Sequence, residues 1–199
     1  MNVVFDVGRV LLHWEPEPVL ADLLGTEDRI AAFRAEVDFL AWHQEQDRGR
    51  TPAEAVAVAR ELYPAYADLL GTLYDRWLET IPGPIWGTVE VLQRLHEAEI
   101  PLFAITNFPA EQWVKTVPAY PFLGVFRDVV VSGEEKLLKP DPAIYRVLLE
   151  RNGLDPAGCI FIDDSPKNVD GATAIGMQAI HFTDPPALVT ALRERGLPA

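Results

Sequence analysis

The chain has 199 residues, with 30 Asp and Glu against 17 Lys and Arg, for a formal net charge of −13. Hydrophobic residues make up 49% and charged residues 24%, a balance that suits a globular domain with a sizeable core and excludes wholesale disorder. An isoelectric point near 4.6 argues against nucleic-acid or anionic-membrane partners, which would need a basic face. In chain order, five segments rich in Val, Ile and Phe are predicted as buried strands: Asn2–Phe5, Pro101–Ile105, Asp128–Val131, Cys159–Ile162 and Gln178–Phe182. Helical patterns separate the later ones, near Thr88–Ala98, Ala110–Val117, Pro142–Asn152 and Val169–Ile175. Asp141-Pro142 reads as an N-cap with proline in the first turn, and Asn152-Gly153 as the matching stop. Strand alternating with helix implies crossover connections and a parallel, doubly wound α/β sheet of Rossmann-like type.

The stretch from Trp14 to Ile85 breaks that rhythm. It carries helical patterns without a convincing strand, including Arg29–Phe39 and Ala53–Leu62, and Thr51-Pro52-Ala53-Glu54 has capping-box spacing. Pro82-Gly83-Pro84 punctuates the return. The expected organisation is therefore a core formed by residues 1–13 and 86–199, with a small helical cap, residues 14–85, inserted after the first strand. The sole cysteine, Cys159, excludes an internal disulfide, and its apolar strand marks it as an inert core residue. No apolar run approaches the roughly 18 to 20 residues of a membrane span. The first residues show no basic leader and apolar stretch, so the expected location is cytoplasmic.

In an open parallel sheet, ligands bind beyond the carboxyl ends of the strands. The first strand is followed by Asp6-Val7-Gly8, the second by Thr106-Asn107, the third by a loop reaching Lys139-Pro140-Asp141, and the fourth by Asp163-Asp164-Ser165. Each residue has an ordinary structural role open to it, as a turn former, a helix cap or a solvated loop residue. Together they are complementary to one metal-bound phosphate. Mg2+ takes carboxylate and carbonyl oxygens, while a phosphoryl group takes cationic and hydrogen-bond donors.

The four segments Asp6-Val7-Gly8-Arg9-Val10, Ile105-Thr106-Asn107, Lys139-Pro140-Asp141-Pro142 and Phe161-Ile162-Asp163-Asp164-Ser165 resemble the four motifs of the haloacid dehalogenase-like hydrolase superfamily, in the family's order. The insertion resembles the cap of the branch that holds sugar-phosphate phosphatases, phosphoglycolate phosphatases and 2-haloacid dehalogenases, and the Asp-x-Gly pattern resembles glucose-1-phosphate phosphatase-like members. The resemblance implies a Mg2+-dependent phosphatase acting on a small phosphorylated metabolite, with sugar phosphates among the candidates. Asp6 would be the nucleophile, forming an aspartyl-phosphate that water hydrolyses. Thr106 and Lys139 would hold the phosphoryl oxygens, with Asn107 contributing donors nearby. Asp6, Asp164 and the Gly8 backbone carbonyl would bind the metal directly, with Asp163 close by and reaching it through water. Many family phosphatases carry an aspartate acid–base where this chain has Gly8, and glycine cannot transfer a proton.

Around Trp42-His43-Gln44-Glu45-Gln46-Asp47-Arg48-Gly49, two readings stay open. One is a helix whose aromatic packs inward and which Gly49 ends. The other sends Trp42, His43 or Arg48 into the cleft, with Arg9 and His13 at its entrance, so that Arg9 and His43 are candidate substrate contacts. Trp77 and Trp86 are expected to pack within the insertion. The main alternative activity is a 2-haloacid dehalogenase with an aspartyl-ester intermediate, against which the paired Asp163-Asp164 weighs. A second alternative is a binding or regulatory protein that kept the fold without turnover. Nothing in the sequence determines the oligomeric state.

Overall fold

The computed structural model describes residues 1–199. Its sheet has five parallel strands in the order β3-β2-β1-β4-β5, comprising β1 (Asn2–Phe5), β2 (Leu102–Thr106), β3 (Asp128–Val131), β4 (Cys159–Asp163) and β5 (Gln178–His181). The order reverses at β1, between β2 and β4, which is where an open parallel sheet forms its binding crevice. Strand alternation divides the core. Val3, Phe5, Ala104, Ile160 and Ile162 face one side, while Val4, Phe103, Ile105, Cys159 and Phe161 face the other, so every central strand is apolar on both faces.

Five helices fill the insertion after β1: α1 (Glu17–Leu24), α2 (Glu27–Glu36), α3 (Phe39–Asp47), α4 (Pro52–Leu62) and α5 (Ala67–Asp75). Their buried residues, among them Leu20, Phe33, Trp42 and Leu70, form one continuous apolar cluster with the sheet face that carries Val3 and Phe5. The chain returns through a 3-10 turn at Trp77–Thr80 into α6 (Trp86–Glu97). Further helices are α7 (Ala110–Ala119), α8 (Ser132–Glu135), α9 (Pro142–Asn152), α10 (Pro166–Ala174) and α11 (Pro185–Arg193). Residues of α9 and α10 cover the second sheet face.

Local signals act as their chemistry requires. Thr51 and Glu54 complete a reciprocal capping box at α4, Asp141 accepts from the Ala143 N–H at the start of α9, and Gly153 ends that helix in the left-handed conformation. The helix expected over Arg29–Phe39 is α2, which ends three residues early at Glu36. Val37 is extended, and Asp38 accepts from the Ala41 N–H to start α3, so a cap interrupts an otherwise helical pattern. Trp86, expected to pack inward, is 64% exposed, because α6 buries the face that bears Val89, Val91, Leu92 and Leu95. The strand boundaries shift by a residue or so; β4 extends to Asp163 and β2 to Thr106, which places both polar groups within the ladder.

Candidate active site

β1 ends at Phe5, and the Asp6 N–H still donates to the Ile162 carbonyl at 2.8 Å, so the sheet fixes the Asp6 backbone against β4. One Asp6 oxygen accepts from the Val7 N–H at 2.7 Å and from Lys139 Nζ at 2.8 Å. Lys139 Nζ also meets Asp163 Oδ2 at 2.6 Å. The ammonium is buried between two carboxylates from neighbouring strand ends. Asn107 secures the loop that delivers it: its side chain accepts from the Lys139 N–H at 2.9 Å and donates to the Lys139 carbonyl at 3.2 Å.

The paired carboxylates after β4 divide their tasks. Asp163 is fully buried, and both its oxygens are engaged, by Lys139, the Ser165 N–H and the Asn168 amide. Asp164 instead lines a cavity of about 240 Å³ together with Asp6, Gly8, Asn107 and Lys139, while His181 Nε2 lies 3.0 Å from its backbone carbonyl. One oxygen each from Asp6, Asp163 and Asp164 fall within 4.8 Å of one another. Burial raises the Asp6 carboxyl well above the ordinary range, with Lys139 opposing and Asp163 adding to the rise. Burial and then Asp163 raise Asp164 as well. Lys139 is raised because the two carboxylates together outweigh the penalty of burial, so it remains cationic. Three carboxylates gathered this closely suit a divalent cation, which would relieve their mutual repulsion. Thr106, fully buried at the end of β2, lies behind the cavity wall rather than in it, and its Oγ1 has no hydrogen-bond partner, which leaves the hydroxyl free to donate to a phosphoryl oxygen.

The remaining wall comes from the insertion and the loops beside it. Leu12, Trp14, Trp77, Ile81, Phe108 and Pro109 make an apolar, largely aromatic side. Arg9, in left-handed backbone, and His13 stand at the entrance, with the Arg9 guanidinium carbon 5.5 Å from the Trp14 ring centroid. Of the α3 candidates, His43 reaches the cavity, stacked on Trp14 at 4.7 Å and on Trp77 at 5.9 Å between centroids. Trp42 packs inward against Phe39 and Tyr74, and Arg48 is not part of the wall. Burial holds the His43 imidazole down at about 3, so it is a neutral ring with Nδ1 paired to the Tyr74 hydroxyl. Trp77 corrects the expectation of packing alone: it packs and also walls the site. The structure adds Asp47, Trp14, Phe108, Ser165 and Asn168, which the sequence did not single out for roles. The spacing of Asp47 four residues after His43, and of Asn168 three after Ser165, is the signal that would have found two of them.

An added Cβ at Gly8 would meet no atom within 4 Å, so the glycine opens space in the cavity rather than answering a backbone demand.

The chain is similar over 197 residues to a sesquiterpene phosphatase of Aspergillus oryzae, at 24% identity, covering 96% of this chain and 94% of that protein. It is 31% identical over 115 residues to a flavin mononucleotide hydrolase of Arabidopsis thaliana, covering 56% of this chain and 45% of the relative's length. A haloacid dehalogenase family enzyme of Bacteroides thetaiotaomicron shares the fold with a TM-score of 0.71 at 24% identity, covering 92% of this chain and 93% of that one. The same enzyme has been solved in complex with magnesium and inorganic phosphate. The family model for haloacid dehalogenase-like hydrolases matches residues 3–176, nearly the whole of the sheet and the insertion, and the chain therefore belongs to the haloacid dehalogenase-like hydrolases.

Proposed function

We propose that this hydrolase is a Mg2+-dependent phosphatase that removes the phosphoryl group from a small phosphate monoester. The observation that carries this reading is the buried Lys139 ammonium between Asp6 and Asp163, beside Asp164 at the cavity wall, with three carboxylate oxygens within 4.8 Å. Asp6 and Asp164 would hold the ion, with the Gly8 carbonyl as a further ligand and Asp163 as the residue that positions Lys139. The ion would supply charge that stabilises the phosphoryl oxygens and keeps Asp6 ionised. Asp6 then attacks phosphorus and takes the phosphoryl group, and water hydrolyses the aspartyl-phosphate. Lys139, the Thr106 hydroxyl and Asn107 neutralise and orient the phosphoryl oxygens. The insertion, residues 14–85, acts as a cap that encloses the alcohol.

The alcohol side of the cavity narrows the substrate class. Leu12, Trp14, Trp77, Ile81 and Phe108 offer apolar surface and few hydrogen bonds, which suits a small apolar or planar alcohol better than a polyhydroxylated sugar. The named activities of relatives, on a sesquiterpene, a flavin nucleotide, phosphoglycolate and phosphorylated carbohydrates, agree on phosphate removal and differ on the alcohol.

The test is a panel of aryl, isoprenoid and sugar phosphates with Mg2+, scored by phosphate release, beside 2-haloacids scored by halide release. Asp6→Asn should lose all turnover while folding normally, since an amide does not attack phosphorus. Halide release alone would transfer the chain to the dehalogenase reading, and full phosphatase turnover in Asp6→Asn would move the nucleophile elsewhere.

A further inference from the structure

Expelling an alcohol from phosphorus leaves negative charge on the departing oxygen, and a positioned acid at that oxygen is worth roughly 10²–10⁴-fold. Asp6 and Asp164 face the cation position, Asp163 is saturated by Lys139, Ser165 and Asn168, and Lys139 bridges two carboxylates. Another acid shares the cavity. Asp47, the last residue of α3, is 9% exposed, and its Oδ1 is buried with no hydrogen-bond partner. A carboxyl oxygen shut away without a partner is costly unless something arrives to pair with it.

The fold holds Asp47 at the carboxyl edge of the sheet. Ser132 Oγ, just past β3, donates to the Asp47 carbonyl at 2.6 Å and accepts from the Phe108 N–H at 2.9 Å, tying the end of α3 to two strand ends. Gly49 permits that approach: its φ is +101°, and a Cβ there would lie 2.8 Å from the Gly133 carbonyl oxygen.

We propose that Asp47 is the proton donor to the leaving alcohol and the proton acceptor for the attacking water, an inference that rests on the phosphatase reading of this cavity. In the first step an Asp6 oxygen bonds to phosphorus, the ester P–O bond breaks, and the Asp47 carboxyl proton passes to the departing oxygen, giving a neutral alcohol and an Asp47 carboxylate. In the second, water attacks the phosphoryl group, its proton passes to Asp47, and the bond to Asp6 breaks, releasing inorganic phosphate. Both carboxyl groups return to their starting states.

The surroundings keep the proton in place. The titratable groups facing Asp47 are His43 on its own helix, Tyr74 on α5 and Lys139 on the loop after α8. His43 Nε2 stands 3.6 Å from Asp47 Oδ1, too far for a hydrogen bond, and burial keeps that ring neutral. Tyr74 is held neutral by burial. Lys139 is the one cation, and it only partly offsets burial, which pushes the Asp47 carboxyl up to about 8. Asp47 is thus protonated at neutral pH.

The experiment follows kcat/KM, which reports transfer to Asp6 with alcohol release and not the shared hydrolysis of the aspartyl-phosphate, with Mg2+ for 4-nitrophenyl, phenyl and benzyl phosphate, whose alcohols leave with rising pKa, in the parent and in Asp47→Asn. The variant should lose roughly 10²–10⁴-fold on benzyl phosphate and under about 10-fold on 4-nitrophenyl phosphate, whose leaving group departs unprotonated. Equal losses on all three esters, in a variant that melts like the parent, would assign Asp47 a structural role and overturn the proposal, as would no loss at all. The parent alone gives an independent readout that needs no folded variant. Its benzyl-to-nitrophenyl rate ratio should fall as pH rises through about 8, and a flat ratio across that range overturns the proposal. A parent that hydrolyses the esters with either negative result refutes Asp47 alone. A folded parent that hydrolyses no phosphate ester refutes the phosphatase reading and this inference with it.

Discussion

Lys139 offers the most direct test of how the site is held together. Its Nζ lies 2.8 Å from Asp6 and 2.6 Å from Asp163, and all three side chains are at least nine-tenths buried. Lys139→Met keeps the unbranched stem and its packing but removes the charge, leaving two carboxylates close together without a cation. Breaking a buried ion pair by deleting one partner costs about 3–5 kcal/mol. At roughly 2–4 °C per kcal/mol for a chain of this length, the melting temperature should fall by roughly 6–20 °C. The measurement is thermal unfolding by circular dichroism, parent against variant, at pH 7 with a chelator present so that no metal substitutes for the ammonium. The pH dependence supplies a second check. Carboxylates left without their cation have folded-state pKa values above the unfolded value of about 3.9, so they destabilise the fold at neutral pH and cease to do so once protonated. The gap between parent and variant should therefore narrow as pH falls from 7 toward about 4. A gap under about 2 °C at pH 7, or one that widens in acid, would show that the triad does not carry the energy assigned to it.

Two further outcomes follow from the same geometry. Mg2+ at 100 times its Kd should stabilise the parent by about 2.7 kcal/mol, and Asp164→Ala should lose both this rise in melting temperature and turnover; an undiminished rise in the variant would place the ion elsewhere. Asn107→Ala removes both hydrogen bonds to the Lys139 backbone, so it should cost about 1–2 kcal/mol and slow turnover by loosening the lysine; unchanged kcat and melting would refute the positioning assigned to Asn107.

Much of this protein was legible from the chain alone. The five apolar runs with helices between them determine a parallel sheet, and a parallel sheet places all its carboxyl ends on one edge. Asp6, Thr106, Asn107, Lys139 and the Asp163-Asp164 pair therefore had to assemble there, whatever the details of packing. Only the tertiary structure decided which of the paired carboxylates faces the cavity, because Lys139, which turns Asp163 inward together with the neighbouring Ser165 and Asn168, comes from a loop 24 residues away. It also decided the insertion's share of the site. The helices α1–α5 bury side chains against one another and against the sheet, so local periodicity names an apolar face without saying what covers it. In α3, Trp42, His43, Gln46 and Asp47 are all buried, and the direction each takes is set by distant partners: Tyr74 for His43, and Ser132 for the backbone of Asp47. Contacts made across 31 and 85 residues of sequence leave no trace in a local pattern, and they are what bring the aromatic wall and the buried Asp47 carboxyl to the strand ends that the sequence had already lined with charge.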